Sequence, residues 1–552
     1  MDIFLMNHPL KGEEHILPHN CRTWLQEAEI GTVFLMKPKG DDHTPLESEL
    51  KQLLPNSKIS VVELPRIGLD SNQTPSELAQ LPWAIIRKIF QFISPLNDST
   101  LLLGRGAGIY DHALWLAGQC LTQVTTIHID SCSPVLSTKN VRQNHSPVEK
   151  TVLPGMITAY LEDIKNNRQD VENYGYIDSE RFMNVIHSTV QKGIAPSLHE
   201  MEKVGGIEKF KSGKDTTYRL NPVALSDAAS TYQDEKVSTD EDLPSLTIAF
   251  GRVPKIQTKN NEQKPKFDFF NYLNPLQPMD GLLVVLQRFD DSIPDSSIMT
   301  LERALIEFEG HADFIGDLRI AHNVLFRRAL EDDIDTHQHM VVINPKPDVE
   351  FQMMFFLHLL AYCEEFEKKH GLHRWDIDLT MPINSIRSSV SFFADITNTS
   401  PTYVLKSKFG NDKIPRRSLV LSLPGRVARE AFEKLLNPHG NSTGSTNCLI
   451  GMFQNENEKG PENTVLSIKE RMKQLKKQEN NNPIAIKATD LKKYLESNGL
   501  NDGIKNIHRT LNRLIGWRLV VKLGLHYSLT DLGRFVAEQI DKIREGGVRD
   551  IE

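Results

Sequence analysis

Cysteine is scarce in this chain, with five among 552 residues (Cys21, Cys120, Cys132, Cys363, Cys448) and no C-x-x-C pair. That spacing excludes a disulfide framework and a zinc ribbon, and it predicts reduced thiols. Long apolar runs are lacking too. No stretch approaches the ~18 to 20 apolar residues that span a bilayer, and Met1-Asp2-Ile3-Phe4 has no basic residues ahead of its apolar ones. We therefore expect a soluble, cytoplasmic protein with no membrane partner. Catalytic signatures are missing as well: the sequence has no H-E-x-x-H, no Walker A loop and no Ser-His-Asp order. His370-Gly371-Leu372-His373 is too isolated to suggest a metal, so no catalytic residue, metal or cofactor is expected.

What is present is ordinary globular material, 39% hydrophobic and 25% charged, which leaves disorder only short segments. A chain of 552 residues exceeds the ~250 to 300 at which single cores stop growing, so several domains are expected. The net charge of -8 argues against a protein coated in nucleic acid. Charge is unevenly placed, however. Pro461 to Thr530 holds 13 Lys+Arg against 6 Asp+Glu, as one nucleic-acid-facing module on an acidic body would; a solvated basic helix face is the bland alternative.

Two segments echo each other. Gly206-Ile207-Glu208-Lys209-Phe210-Lys211-Ser212-Gly213 leads to Thr217-Tyr218-Arg219-Leu220, and Gly516-Trp517-Arg518-Leu519-Val520-Val521-Lys522-Leu523-Gly524 leads to His526-Tyr527-Ser528-Leu529. Each reads as strand, tight Gly turn, returning strand and helix cap, which is the wing of a winged helix. Ahead of each lies an α/β series. The first runs Thr32–Met36 strand, Pro45–Leu54 helix, Ile59–Leu64 strand, Pro75–Ile93 helix, Thr100–Leu103 strand, Tyr110–Leu121 helix and Val124–Ile129 strand. The second runs Gly281–Gln287 strand, Thr300–Glu309 helix, Met340–Ile343 strand, Phe351–Phe366 helix, Trp375–Thr380 strand, Asn384–Ile396 helix and Thr402–Leu405 strand. Such alternation predicts two parallel sheets, with ligands beyond the carboxyl ends of the strands. The domains expected are 1–150, 151–230, 231–436 and 437–552. Acidic 234–242, polar 255–266 and Asn/Gly/Ser-rich 437–463 read as linkers or loops, and 478–482 as a loop within its domain.

The loop Gly104-Arg105-Gly106-Ala107-Gly108 between strand and helix suits an anion. Its glycines let backbone N–H groups turn toward a ligand, the helix N-terminus adds partial positive charge, and Arg105 offers a bidentate donor. Lys37 and Lys39 would share the same sheet edge. In the second series Arg288, Thr380, Asn384 and Arg387 take the corresponding places, although Pro382 removes one donor. A Gly-rich turn that serves packing alone is the alternative.

Leu101-Leu102-Leu103-Gly104-Arg105-Gly106-Ala107-Gly108, so placed, resembles the nucleotide-binding loop of the CARF (CRISPR-associated Rossmann fold) family, whose usual Thr-Gly-Gly-Thr-Lys turn is Gly104–Gly108 here and Thr380–Asn384 in the second series. The resemblance to CARF regulators fused to a winged helix covers nearly the whole chain as two copies. It implies a CRISPR-linked, antiviral setting, cyclic oligoadenylate or a related nucleotide second messenger as effector, and a chain that mimics a two-fold dimer as a monomer or forms a homodimer.

For duplex DNA, the predicted helix Gly503–Ile515 sets Lys505, Asn506, Arg509, Asn512 and Arg513 on one side and Ile504, Ile507, Leu511 and Leu514 on the other. Lys522 and His526 flank the wing turn, where phosphate contacts are common. The first wing, with Glu200, Glu202 and Glu208 among Lys203, Lys209 and Lys211, is a weaker reader. The expectation is a ligand-responsive, DNA-binding transcription regulator. Its competitors are a cyclic-oligonucleotide-cleaving or activated ribonuclease effector, and a non-catalytic structural subunit.

Overall fold

The computed structural model describes residues 1–7, 17–66, 81–90, 92, 98–106, 108–120, 124–137, 149–166, 177–178, 194–234, 243, 245–252, 281–287, 298–300, 339–343, 349–371, 374–380, 384–397, 399, 401–406, 418–423, 443–458, 485–530 and most of 532–541. The expected segments at 255–266, 301–309 and 478–482 lie outside these residues, as do most of 234–242, and Ala107 and Arg288.

The first unit contains β1 (Asp2–Met6), α1 (His19–Glu27), β2 (Thr32–Pro38), α2 (Thr44–Leu53), β3 (Lys58–Leu64), α3 (Leu81–Phe90), β4 (Ser99–Leu103), α4 (Gly108–Cys120) and β5 (Val124–His128). Its sheet is ordered β3-β2-β1-β4-β5 and is parallel throughout. The alternation of strand side chains splits two cores. Ile3, Leu5, Val33, Leu35 and Leu102 pack with Cys21, Leu25, Leu46 and Leu50 of α1 and α2. Phe4, Met6, Leu101 and Leu103 face Ile85, Ile89 and Leu114 of α3 and α4. Being buried on both faces, these strands are apolar runs, as central parallel strands require.

After β5 come α5 (Glu149–Lys165), β6 (Ile177–Asp178), α6 (Ile194–Lys203), β7 (Ile207–Ser212), β8 (Asp215–Leu220) and α7 (Pro222–Asp234). The three strands form an antiparallel sheet ordered β6-β8-β7. The third part contains β9 (Ser245–Arg252), β10 (Gly281–Gln287), β11 (Ile298–Thr300), β12 (His339–Ile343), α8 (Val349–His370), β13 (Arg374–Ile377), α9 (Asn384–Ile396), β14 (Thr402–Lys406) and β15 (Ser418–Ser422). Its sheet runs β11-β12-β10-β9-β13, with β11 antiparallel and the rest parallel. Residue Thr300 therefore ends a strand instead of opening a helix. β14 joins the sheet edge through the Asp378–Thr402 bridge and pairs antiparallel with β15. Thus β9, β10, β12 and β13 hold the places that β1, β2, β3 and β4 hold in the first sheet.

Taking Thr32 and Gly281 as the starts of the first strands overlooks β1 and β9, interior strands of the two sheets, each paired on both sides. Each stands before the recognisable strand-helix alternation, which is why the pattern missed them. A second correction concerns 437–463: Thr443–Glu458 is a helix, α10, with Cys448, Leu449, Ile450 and Met452 buried. Its small residues serve close packing, since a Cβ at Gly444 would run into the Gly503 carbonyl. The chain then forms β16 (Ile486–Lys487), α11 (Ala488–Ser497), α12 (Ile507–Gly516), β17 (Val520–Leu523) and β18 (His526–Leu529), with sheet order β16-β18-β17. That order repeats β6-β8-β7. Among the described residues no helix is long and apolar enough to cross a membrane.

Candidate functional site

In the first sheet β1 lies between β2 and β4, so the chain reverses its direction of winding there, and sheets of this kind bind ligands in the crevice beyond the carboxyl ends of the strands at such a point. Asn7 follows β1 directly and is fully buried. Its Nδ2 donates to the Asp42 carbonyl at 3.1 Å, while its Oδ1 has no partner among the described residues. A buried acceptor of this kind suits an incoming N–H or O–H donor. Lys37, at the end of β2, is buried; its Nζ donates to the Asp41 carbonyl at 3.1 Å and pairs with Glu63 at 3.0 Å. Lys39 is exposed one step beyond. Arg105 is buried and lies close enough to the Cys21 thiol to bias its ionisation.

The glycine loop already holds an anion, and it belongs to the chain. Asp111, in the first turn of α4, accepts the Gly106 N–H on Oδ1 at 3.1 Å, and the Gly104 N–H also bonds its carboxylate. Arg387 of α9 donates through Nη1 to Asp111 Oδ2 at 3.0 Å and to the Gly106 carbonyl. Asp111 and Arg387 are 3% exposed each. Burial pushes the Asp111 carboxyl up to about 6, against the opposing pull of Arg387 and the two loop amides. Gly104 and Gly106, expected to turn their amides toward a ligand, turn them onto this carboxylate, and Arg387 reaches back across to the first unit's loop.

The two loops meet. A Cβ on Gly108 would run into the Leu379 carbonyl at the end of β13, so only glycine allows this approach. Beside it His112 Nδ1 and Ser391 Oγ share a hydrogen bond of 3.0 Å, both buried between α4 and α9. Gln352 of α8 accepts from Ser388 Oγ at 3.0 Å and from the Leu136 N–H at 3.4 Å. In the second loop Thr380 donates its N–H to Asp378 Oδ1 at 2.9 Å and accepts the Val404 N–H on Oγ1 at 2.7 Å. Burial pushes Asp378 up to about 6, opposed by hydrogen bonds from the Thr380 hydroxyl and N–H. Asn384 opens α9; its side chain lies outside the described residues. Sequence reasoning missed Asn7, Asp111, His112, Asp378 and Ser391. Asp111 could have been found, because an acidic residue in the first turn after a glycine loop is the local anion that a helix N-terminus attracts.

The C-terminal face is different. Helix α12 starts at Ile507, so Lys505 and Asn506 precede it, and Asn506 is its N-cap, accepting the Arg509 N–H at 3.1 Å. Ile507, Leu511 and Leu514 are buried while Lys505, Asn506, His508, Arg509, Asn512 and Arg513 are exposed. Lys522 is exposed on β17 and His526 is half-buried at the start of β18. Among the described residues Lys505, Arg509, Arg513 and Lys522 form no ion pair. Leu525, in the turn between β17 and β18, is 77% exposed, an apolar feature the charge pattern did not suggest.

No protein-family profile matches the sequence, and no curated protein matches it either. Among solved structures, protein VC1899 from Vibrio cholerae aligns over 67% of this chain and 99% of its own at 8% identity, with a TM-score of 0.17. The N-terminal domain of trehalose-6-phosphate phosphatase from Candida albicans aligns over 72% and 92% at 8% identity, with a TM-score of 0.15. Likeness at that level carries no argument about this chain, which stands on its own geometry as an α/β protein with a parallel, Rossmann-like sheet.

Proposed function

We propose that this chain is a ligand-responsive regulator that binds duplex DNA, built as a tandem of two Rossmann-like sensors, each followed by a winged helix, so that one chain does the work of a two-fold dimer. The observation that carries the reading is the meeting of the two strand-loop-helix units, Gly108 against Leu379 and Arg387 against Asp111. The shared strand order and the repeated three-strand order support a duplicated architecture. A ligand with two-fold character suits two facing loops, and the resemblance to CARF proteins makes it a cyclic oligoadenylate or a related nucleotide second messenger in a CRISPR-linked setting.

The ligand's phosphate has a resident competitor. Any phosphate that takes the Gly104 and Gly106 amides must displace Asp111, which would release Arg387 and so alter the contact between the two sensors. This is how binding at one place would bias the placement of the winged helices, since a ligand shifts an equilibrium only through contacts that differ between its states. Arg105, Lys39 and the Asn7 acceptor would complete the pocket. On the DNA side, Lys505, Arg509, Asn512 and Arg513 would face the duplex with Lys522 and His526 on the wing.

The test is calorimetric titration of the full-length protein with cyclic oligoadenylates of several ring sizes and linear controls, followed by DNA binding with and without the ligand that binds. Arg105→Ala should weaken that ligand by about 1.5 to 3 kcal/mol if a charge-assisted contact is lost. Saturable nucleotide binding with no change in salt-sensitive DNA binding would refute coupling, and the absence of both would leave the structural-subunit reading in its place.

A further inference from the structure

We propose that Cys21 and Cys132 form an oxidisable dithiol, a disulfide site that staples α1 to the turn after β5 at the rim of the first sheet's crevice. The two residues are distant in sequence, yet both pack in one buried cluster, each close enough to bias the other's ionisation, and the Cys132 thiol donates to the Ile129 carbonyl at 3.7 Å. Cys21 sits in the first turn of α1, fully buried with Leu25, Ile127 and Ile129; Cys132 packs against the same cluster but keeps part of its surface open. A buried thiol in one cluster with a part-exposed one supplies a resolving cysteine near a sensing one.

The turn that presents Cys132 is over-determined. Its N–H donates to the His128 carbonyl at 2.8 Å, and the His128 N–H donates to the Ser133 carbonyl at 2.9 Å. Asn20, next to Cys21, donates from Nδ2 to the Asp130 carbonyl at 3.3 Å and so ties the helix to the same turn. Within it Cys132 has a φ of 52°, a left-handed conformation that a non-glycine residue holds only where surrounding contacts impose it. The turn so held keeps Cys132 against the cluster that contains Cys21.

The chemistry requires a peroxide as oxidant. The Cys132 thiolate attacks one peroxide oxygen; the S–O bond forms, the O–O bond breaks, and water leaves, giving a sulfenic acid. Cys21 then attacks the Cys132 sulfur; the S–S bond forms, the S–O bond breaks, and the leaving hydroxide takes the Cys21 proton away as water. Two thiols lose two electrons together, and one peroxide becomes two waters. Burial pushes the Cys21 thiol up to about 12 and raises that of Cys132, so the thiolate fraction is small and the site answers sustained oxidant instead of brief exposure. The Arg105 charge pulls the Cys21 thiol down against that burial.

The experiment uses the full-length reduced protein, exposed to hydrogen peroxide, then denatured, alkylated and mapped by mass spectrometry. A peptide pair joined through Cys21 and Cys132 should appear, two of the five thiols should be lost, and dithiothreitol should restore both. Cys132→Ser, at the part-exposed position, should leave Cys21 alkylatable after the same treatment. Cys21→Ser, where it folds, should leave Cys132 as a sulfenic acid that dimedone traps. Wild-type protein in which Cys132 is sulfenic or sulfinic acid while Cys21 still alkylates would overturn the proposal, as would a cross-link through other cysteines or two unreacted thiols when exposed methionines have oxidised. The mapping reads the cysteines directly, so its outcome is independent of whether nucleotide or DNA binds.

Discussion

Arg387 and the pair Arg509 and Arg513 are the same side chain put to opposite uses. Arg387 is buried at 3% exposure between α4 and α9, where Asp111 and the Gly106 carbonyl neutralise it. Arg509 and Arg513 stand in solvent on α12 with no ion pair among the described residues. A guanidinium inside a protein must be paired, because desolvation is expensive, and once paired it is committed to the fold. One left in solvent on a helix whose other face is packed is available to a polyanion. The lesson is that charge alone does not mark a binding residue; its partner does.

The comparison would break most visibly at Arg387. Arg387→Ala leaves Asp111 buried without its counter-charge and should cost about 3 to 5 kcal/mol of stability, read by urea denaturation. Arg387→Met together with Asp111→Leu should recover most of that loss, since it removes both charges. A smaller effect is expected from pH. Asp111 and Asp378 are both pushed up to about 6 by burial, against roughly 3.9 in an unfolded chain. The native state then binds more protons between those values, so each carboxyl contributes stability that is full below about pH 4 and lost as the pH rises through about 6, on the order of 2 kcal/mol per group. Denaturation across that window should show stability falling with pH, and Asp378→Asn should flatten part of the slope.

Gly108→Ala sets a methyl group against the Leu379 carbonyl and should cost about 1 to 3 kcal/mol by forcing the two units apart. At the exposed face the expected effect on stability is the smallest. Arg509→Ala with Arg513→Ala should change unfolding by no more than about 0.5 kcal/mol. If the two contact phosphates, the same substitutions should lower the slope of log K against log salt by roughly 2, measured by DNA titration at several salt concentrations. A stability loss as large as that of Arg387→Ala would erase the contrast between the two regions.

Local pattern made much of the architecture legible. The strands at Thr32, Ser60, Thr100 and Val124 and those at Gly281, Met340, Trp375 and Thr402 could be read because each is a short run rich in apolar and β-branched residues, a signal written in neighbouring positions. The amphipathic face of α12 was legible for the same reason: a period of 3.6 residues is written in neighbouring positions. β1 and β9 were not, because what makes a strand central is pairing on both sides with distant segments. Nor was α10, whose Gly, Ser and Thr residues look like a linker until the backbone of Gly503 is brought against Gly444.

The sequence by itself determined the α/β alternation, the two antiparallel strand pairs, the glycine loop and the exposed basic helix, since all of these depend on residues a few positions apart. Tertiary structure alone decided that Arg387 crosses from the second unit to hold Asp111 in the loop's anion cradle, and that Cys21 shares a buried cluster with Cys132. Those contacts join residues far apart in the chain. Their strength comes from burial, which raises the cost of every unpaired charge and so selects partners that local patterning cannot name.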